Sequence, residues 1–366
     1  MKIECVQEKL QSIFSQAEKI SGKNLTLPIL TCLLLEAGGN KLTVKSTNLD
    51  IGLTISIPVK VEEDGLVAVP ASTLSAFVAN FPQEKNIKLS SDEKILKIKT
   101  QKTETTLNCL PHSDFPIIPE VPKAQKFQVP AVDFVRALKS VWYSASMSSL
   151  KPELSSVFVY QENDNLVFVA TDSFRLAEKK VKLKNTEDFD RILIPYKNIA
   201  EIVRILEHSE GNAEVHVSKH QVAFVLPGTY LVSRVLEGNF PDYQQIIPKE
   251  FTTEVTLLKQ DLSQALKVAN IFSDQFNQIN LKVVPKEKRM ELSTKNNNVG
   301  QNRTLLDAVL TGEPIESNFN YRYIADCLQS INSDSVSFSF AGQNRPVVIR
   351  GVSDKTFTYL VMPMNR

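Results

Sequence analysis

The sequence predicts an α+β protein of three similar domains, each with two helices packed on antiparallel sheet, and three recurring patterns predict it. First, a strand, a polar turn and a second strand begin at Lys41–Asn48, Leu166–Asp172 and Met290–Asn296, with Asn48, Asp172 and Asn296 spaced by 124 and 124 residues. Second, an extended segment leads into a helix at Val69-Pro70-Ala71-Ser72, Ile194-Pro195-Tyr196-Lys197 and Phe319-Asn320-Tyr321-Arg322, where Pro70, Pro195 and Asn320 lie 125 and 125 residues apart. Third, each unit closes on a similar segment, at Phe115-Pro116, Phe240-Pro241 and Met362-Pro363, separated by 125 and 122 residues. A fixed period of this kind marks one structural unit repeated along the chain.

A chain of 366 residues suits two or three domains. The period places them at residues 1–122, 123–250 and 251–366, with polar joints at 122–126 and 248–250. Each unit opens with an amphipathic helix. Leu10, Ile13, Phe14, Ala17 and Ile20 form an apolar stripe, with Lys9, Gln11, Glu18 and Lys19 opposite. Phe134, Val135, Leu138, Val141 and Trp142 do the same in the second unit, and Leu262, Ala265, Leu266 and Ala269 in the third. Shorter second helices bury Leu74, Phe77 and Val78, then Ile202, Val203 and Leu206, then Ile324, Leu328 and Ile331. Between them, Ile55–Val61, Val215–Ser218 and Ser335–Phe340 alternate apolar and polar residues as half-buried strands do. Helices on one side of antiparallel sheet is the layer arrangement that follows.

Composition narrows the function. Lys and Arg number 42 against 41 acidic residues, so any basic surface must be local. Met1-Lys2-Ile3-Glu4-Cys5 places an acid where a signal peptide would have an apolar run, and no stretch reaches about 18 uninterrupted apolar residues; a cytoplasmic protein with no membrane partner is expected. Cys5, Cys32, Cys109 and Cys327 are far apart among apolar neighbours, which predicts reduced thiols and neither disulfides nor a zinc site.

Catalytic signatures are missing. Gly22-Lys23 has no glycine five residues earlier, so no phosphate-cradling loop is present. His208, His216 and His220 lack an H-E-x-x-H context, and His216 and His220 are expected to flank a hairpin without metal. No G-x-S-x-G elbow occurs, and Cys109 near His112 precedes a proline-bounded turn with no orienting partner. The expectation is a protein with no catalytic residues, metal or cofactor.

Four segments in order, Thr26-Leu27-Pro28-Ile29-Leu30, Ala170-Thr171-Asp172-Ser173-Phe174-Arg175-Leu176, Phe240-Pro241-Asp242-Tyr243 and Tyr359-Leu360-Val361-Met362-Pro363-Met364, make the chain resemble the bacterial DNA sliding clamp, the β subunit of DNA polymerase III, over its whole length. The resemblance implies a clamp fold that closes as a homodimer into a six-domain ring. It implies a processivity factor that encircles duplex DNA, is opened by an ATP-driven loader and tethers the replicative polymerase and other DNA-processing proteins. It also implies a peptide-binding pocket of Leu154, Thr171, Arg175, Leu176, Pro241, Ile246, Asn320, Tyr323, Pro346, Val361, Met362, Pro363 and Met364, bordered by Phe276. Leu176, Val361 and Met362 would supply apolar walls, methionine adapting to several ligands, while Arg175, Asn320 and Tyr323 would hold a peptide backbone or carboxylate. Leu107, Ile271 and Phe272 are the implied dimer interface. The chain departs from the family where Ser173 and Phe174 replace a common Gly-His, where Gln245 replaces a frequent basic residue, and at its Asn365-Arg366 ending.

Twelve inward helices spaced at roughly 8–10 Å give a circumference near about 110 Å and a diameter of about 35 Å at their axes. Removing a helix diameter of about 10–12 Å leaves a channel of roughly 25 Å, enough for a hydrated duplex. Lys9, Lys19, Lys23, Arg136, Lys139, Lys197, Arg204, Lys267 and Arg322 are the candidate channel residues, for sequence-independent contact with phosphate. Singly, each is equally a solvated helix residue; their recurrence on the inner helices singles them out. The competing expectation is a three-domain interaction adaptor that does not encircle DNA, which oligomeric state distinguishes.

Overall fold

A computed structural model describes residues 1–22, 26–92, 94–122, 125–148, 150–183 and 189–364. In chain order the first passage is β1 (Lys2–Val6), α1 (Gln7–Ile20), β2 (Cys32–Gly38), β3 (Lys41–Thr47), β4 (Ile51–Pro58), β5 (Lys60–Glu63), β6 (Gly65–Pro70), α2 (Ala71–Ala79), β7 (Asn86–Ser91), β8 (Ile95–Lys99) and β9 (Glu104–Asn108). The second is β10 (Gln125–Pro130), α3 (Ala131–Val141), β11 (Ser156–Glu162), β12 (Asn165–Thr171), β13 (Arg175–Lys182), β14 (Ile192–Pro195), α4 (Tyr196–Glu207), β15 (Asn212–Val217), β16 (Gln221–Leu226) and β17 (Thr229–Arg234). The third is β18 (Thr253–Leu258), α5 (Lys259–Ile271), β19 (Gln278–Val284), β20 (Arg289–Asn296), β21 (Gly300–Leu306), β22 (Ala308–Gly312), β23 (Ile315–Asn320), α6 (Tyr321–Leu328), β24 (Ser335–Phe340), β25 (Val347–Gly351) and β26 (Phe357–Val361). Among the described residues the first and third passages share one order of strands and helices, and the second lacks one strand of it.

The helices start where the repeat predicts, α2, α4 and α6 directly after Pro70, Pro195 and Asn320. α1 and α5 carry no side-chain cap, because strand runs straight into helix. Their first amides are satisfied by tertiary contact: Gln7 N donates to Lys85 O at 3.1 Å and Lys259 N to Asp334 O at 2.8 Å. Ala131 N, opening α3, donates likewise to Gly211 O at 3.0 Å. In all three passages the acceptor follows the second helix, so the segment leaving that helix satisfies the opening amide of the first. Within α1, Leu10, Ile13, Phe14, Ala17 and Ile20 are buried as their spacing predicts, each large apolar side chain contributing about 1.5–3 kcal/mol.

Two compact units result. The first comprises Met1–Val132, a short stretch ending at Ile192, and Lys197–Val235. It holds a five-stranded sheet in the order β5-β1-β7-β8-β9 and an eight-stranded sheet in the order β10-β15-β16-β17-β4-β3-β2-β6. The second unit comprises Asp133–Asn185, Leu193–Tyr196 and Leu236–Arg366. It holds a nine-stranded sheet, β14-β11-β12-β13-β26-β25-β24-β18-β22, and a four-stranded sheet, β21-β20-β19-β23. The eight-stranded sheet is joined through the β4–β17 ladder and the nine-stranded sheet through the β13–β26 ladder, both antiparallel pairings between different passages.

Two local expectations need correction or comment. The strand expected over 55–61 is two strands, because Val59 leaves the ladder after Pro58 and its N–H goes to Asn40 O at 3.1 Å. His216 lies in β15 and His220 just before β16, so the two do flank a hairpin. All four cysteines are free thiols, and among the described residues no helix is long and apolar enough to cross a membrane.

Candidate functional site

The pocket residues expected from the sequence all fall in the second unit, and the turn joining β12 to β13 organises them. Asp172 Oδ1 accepts from Phe174 N and Arg175 N, both at 3.0 Å. Thr171 Oγ1 donates to Arg175 O at 2.7 Å and accepts from Ser173 N at 3.2 Å. These bonds hold Ser173 at a φ of 77°, a left-handed conformation in which glycine is unstrained, and that is the physical sense of the family's glycine there.

Arg175 leaves this turn as the hub of the site. Its Nε donates to Asp172 Oδ2 at 3.0 Å, one terminal nitrogen to Asp326 Oδ2 at 2.7 Å and the other to Tyr143 O at 2.6 Å. The guanidinium also lies 4.5 Å from the centroid of the Tyr323 ring, a cation–π distance. Burial opposes its charge, but the Asp326 and Asp172 carboxylates hold it charged and its pKa is raised further. Burial pushes the Tyr143 and Tyr359 hydroxyls and the Cys327 thiol well up, so these neighbours are neutral at pH 7. Two carboxylates already balance Arg175, so the expected capture of a ligand carboxylate by this residue is not what the arrangement offers. It fixes the turn to α6 instead.

The C-terminal strand completes the site. Arg175 pairs with Val361 and Leu176 with Leu360 in the β13–β26 ladder, Met362 N donates to Phe174 O at 2.8 Å, and Met364 N to Asn318 O at 2.8 Å. Leu176 and Val361 are both fully buried, not open walls as expected, and the register sets them on opposite faces of the sheet, Leu176 with Leu360 and Val361 with Arg175. The partly buried Met362, Pro363 and Met364 present the accessible apolar surface there, with Phe174 exposed beside them. Pro346 leads into β25, whose Val347 pairs with Val361. Asn320 has a structural task as well, since its Oδ1 caps α6 by accepting from Arg322 N at 2.9 Å.

Pro241 and Ile246 belong to a segment anchored by aromatic packing. Phe240 stacks on Phe158 at 4.8 Å, and the Tyr243 hydroxyl donates to Glu178 Oε2 at 2.5 Å while bonded to the Tyr160 hydroxyl at 2.8 Å. Burial and the adjacent carboxylate raise the Tyr243 pKa strongly, keeping it a donor. Tyr243 packs with Leu176, Val348 and Leu360, so Phe240-Pro241-Asp242-Tyr243 is the clasp that holds this wall on the sheet. Phe276 is exposed next to Asn277, whose carbonyl accepts from Tyr321 N at 2.8 Å, at the start of α6. Leu154 is buried between α3 and β11, with its carbonyl accepting from Ser146 N at 2.8 Å. Sequence reasoning passed over Tyr143, Asp326, Tyr160 and Glu178. Only Asp326 carried a signal, one helical turn after Tyr323 and so on the same face of α6.

The described channel candidates all lie on helices. In the first unit these are Lys9 and Lys19 on α1, and Lys197 and Arg204 on α4; in the second, Arg136 and Lys139 on α3, Lys267 on α5 and Arg322 on α6. Lys23 lies outside the described residues. Arg136 faces Asp133 at 3.5 Å, Lys197 faces Asp50 at 2.6 Å and Arg204 faces Glu201, so their charge is partly balanced locally. Of the interface candidates, Leu107 sits on β9 at the margin of the five-stranded sheet, Ile271 is exposed at the end of α5, and the Phe272 ring lies 3.8 Å from where a Cβ on Gly300, which opens β21, would stand. No group of three or more His, Cys, Asp or Glu among the described residues is placed to hold a metal ion.

Repeated strand-helix units of this kind define a three-domain α+β clamp fold. A Bacillus subtilis DNA polymerase sliding clamp superposes with a TM-score of 0.95 at 26% identity, covering 100% of this chain and 99% of that one. A Bartonella birtlesii sliding clamp bound to griselimycin does so with a TM-score of 0.95 at 27% identity, covering 100% of both chains. The beta sliding clamp of Synechococcus elongatus is 27% identical over 371 residues, covering 100% of this chain and 99% of that protein. Models of the N-terminal, central and C-terminal domains of the DNA polymerase III beta subunit match residues 1–119, 128–242 and 244–365, and the chain belongs to that family. It is a sliding clamp, a processivity factor of DNA replication.

Proposed function

We propose that two copies close head to tail into a ring around duplex DNA and tether the replicative polymerase through the groove around Met362. Three domains near 1–122, 123–250 and 251–366 from each copy supply the ring. The observation that carries this reading is the unequal size of the sheets: five and four strands beside eight and nine. Pairing β9 of one copy with β21 of the next joins the two short sheets into one of nine strands, the size already present within the chain. Leu107 stands on one of these edges, and Ile271 and Phe272 lie near the other.

Inside the ring the basic helix residues meet phosphate without reading sequence, and their partial neutralisation by Asp133, Asp50 and Glu201 keeps that contact weak enough for sliding. Closure, not affinity, then retains the DNA. The clamp makes and breaks no covalent bond, works in the cytoplasm, and depends on an ATP-driven loader to open. At the groove, the adaptable Met362 and Met364, with Met362 packed on the cluster of Leu176 and Leu360, suit apolar peptide side chains. The relative from Bartonella birtlesii bound to griselimycin supports a ligand site on this fold.

Retention after loading tests the ring. The protein should stay on nicked circular DNA and leave when that DNA is linearised, with charge reversal at Arg136 and Lys197 reducing the loaded fraction. Equal retention on linear and circular DNA would favour the adaptor that never encloses its partner.

A further inference from the structure

The turn that carries Arg175 has a twin in the first unit. Thr47 Oγ1 donates to Ile51 O at 2.8 Å and accepts from Leu49 N at 3.0 Å, as Thr171 does with Arg175 and Ser173. Asn48 Oδ1 accepts from Asp50 N at 3.0 Å and Ile51 N at 2.9 Å, in the place of Asp172. Leu49 has a φ of 74°, beside 77° at Ser173. Arg234 N donates to Asp50 O at 2.8 Å, as Met362 N does to Phe174 O at 2.8 Å. The ladders agree in register, with Gly52 opposite Val232 where Leu176 stands opposite Leu360. One backbone frame is therefore built twice, and the side chains differ.

In the first unit this frame encloses a cleft of about 70 Å³, lined by Leu49, Ile51, Ile117, Val232 and Arg234 among others. That is room for one small apolar side chain. Leu49 is 48% exposed and Ile117 93% exposed, so the rim is apolar and open to solvent. Next to the cleft, Ile118 fills the space over Gly52, its Cγ2 lying 2.8 Å from where a Cβ on Gly52 would stand; glycine at 52 admits Ile118 in place of the leucine of the other frame. The rim also changes charge. Arg234, exposed, replaces Met362, while Asp50 is already matched by Lys197 at 2.6 Å. The cleft thus pairs an apolar lining with a cation.

We propose that this cleft is a second peptide-binding site, taking a short segment of a partner protein in which one small apolar side chain is flanked by a carboxylate. The ligand class rests on the tether reading of the groove around Met362, whereas the site itself rests on its own cleft, rim and charge. Arg234 supplies a charge-assisted contact to the carboxylate, and Ile117 and Leu49 cover the apolar side chain.

The test is a titration of the full chain, labelled at isoleucine δ1 and methionine ε methyls, with acetyl-Leu-Asp-Leu-amide and readout by methyl NMR. The expected result is a saturable shift at Ile117 and Ile118 whose half-saturating concentration rises roughly tenfold in Arg234→Glu and is kept in Arg234→Lys. Silence at Ile117 and Ile118 overturns the second site whatever the methionines do, and so does an equal response in Arg234→Glu. Movement at Ile117 with silence at Met362 and Met364 supports the second site and counts against the tether reading alone.

Discussion

Replacing Arg175 by alanine tests whether this residue is the keystone of the groove. Its side chain is 13% exposed and serves Asp172, 15% exposed, and Asp326, 41% exposed. Without it Asp172 keeps its charge in a nearly buried place with no counterion, a loss of roughly 3–5 kcal/mol for a buried pair. Asp326 reaches water and adds at most about 1 kcal/mol. Because Asp172 still accepts two backbone amides, the low end applies, and Arg175→Ala should destabilise the second unit by about 3 kcal/mol. Unfolding of a multidomain chain is not one transition, so the measurement is native-state hydrogen exchange at the β13–β26 ladder amides. Asp172→Asn keeps a carbonyl for those amides and removes the stranded charge. It should therefore restore a substantial part of the loss in the double variant. Absence of that rescue, or a loss under about 1 kcal/mol, would refute the keystone reasoning. Arg175→Lys should behave closer to alanine than to arginine, since one ammonium cannot span two aspartates and the Tyr143 carbonyl.

Ser173→Gly relieves a left-handed residue at φ 77° and should raise stability by about 1 kcal/mol, partly offset by the freedom glycine adds to the unfolded chain; a lower denaturation midpoint would show that the serine is not strained. Lys179 and Asp354 form an ion pair at 3.0 Å with side chains 11% and 9% exposed. Burial favours a raised Asp354 pKa, but bonds from Thr356 and Lys179 prevail and hold it below the ordinary 3.8. A depressed folded pKa stabilises above the unfolded value, so this contribution is complete above about pH 4 and fades as pH falls below it. Melting temperature followed from pH 5 to pH 2 should drop less steeply in Lys179→Met than in the parent, and parallel curves would exclude the pair as a source of acid sensitivity.

The repeat was legible because each marker is local. Pro70 and Pro195 stop a strand and start a helix through their own chemistry, and Asn48 and Asp172 bind amides two and three residues ahead. The apolar stripe of α1 was equally readable. The joining ladders were not, since β4 finds β17, and β13 finds β26, across more than a whole passage, and nothing in either strand's pattern names its partner. The same limit hid the Arg175 network: Asp326 is 151 residues away, and Tyr143 takes part through a backbone carbonyl that carries no residue-specific signal. Full burial of Leu176 and Val361, on opposite faces of one ladder, follows from a sheet covered on both sides, which the two residue types alone do not announce.

The margins at β9 and β21 carry a further consequence, for handling the protein. A strand at the border of a sheet offers bare amide and carbonyl groups to any extended polypeptide, and β21 adds Leu305, 63% exposed. Substitutions that loosen self-association should therefore yield clumping material in place of well-behaved single subunits, and dilution should lower solubility where it ordinarily helps.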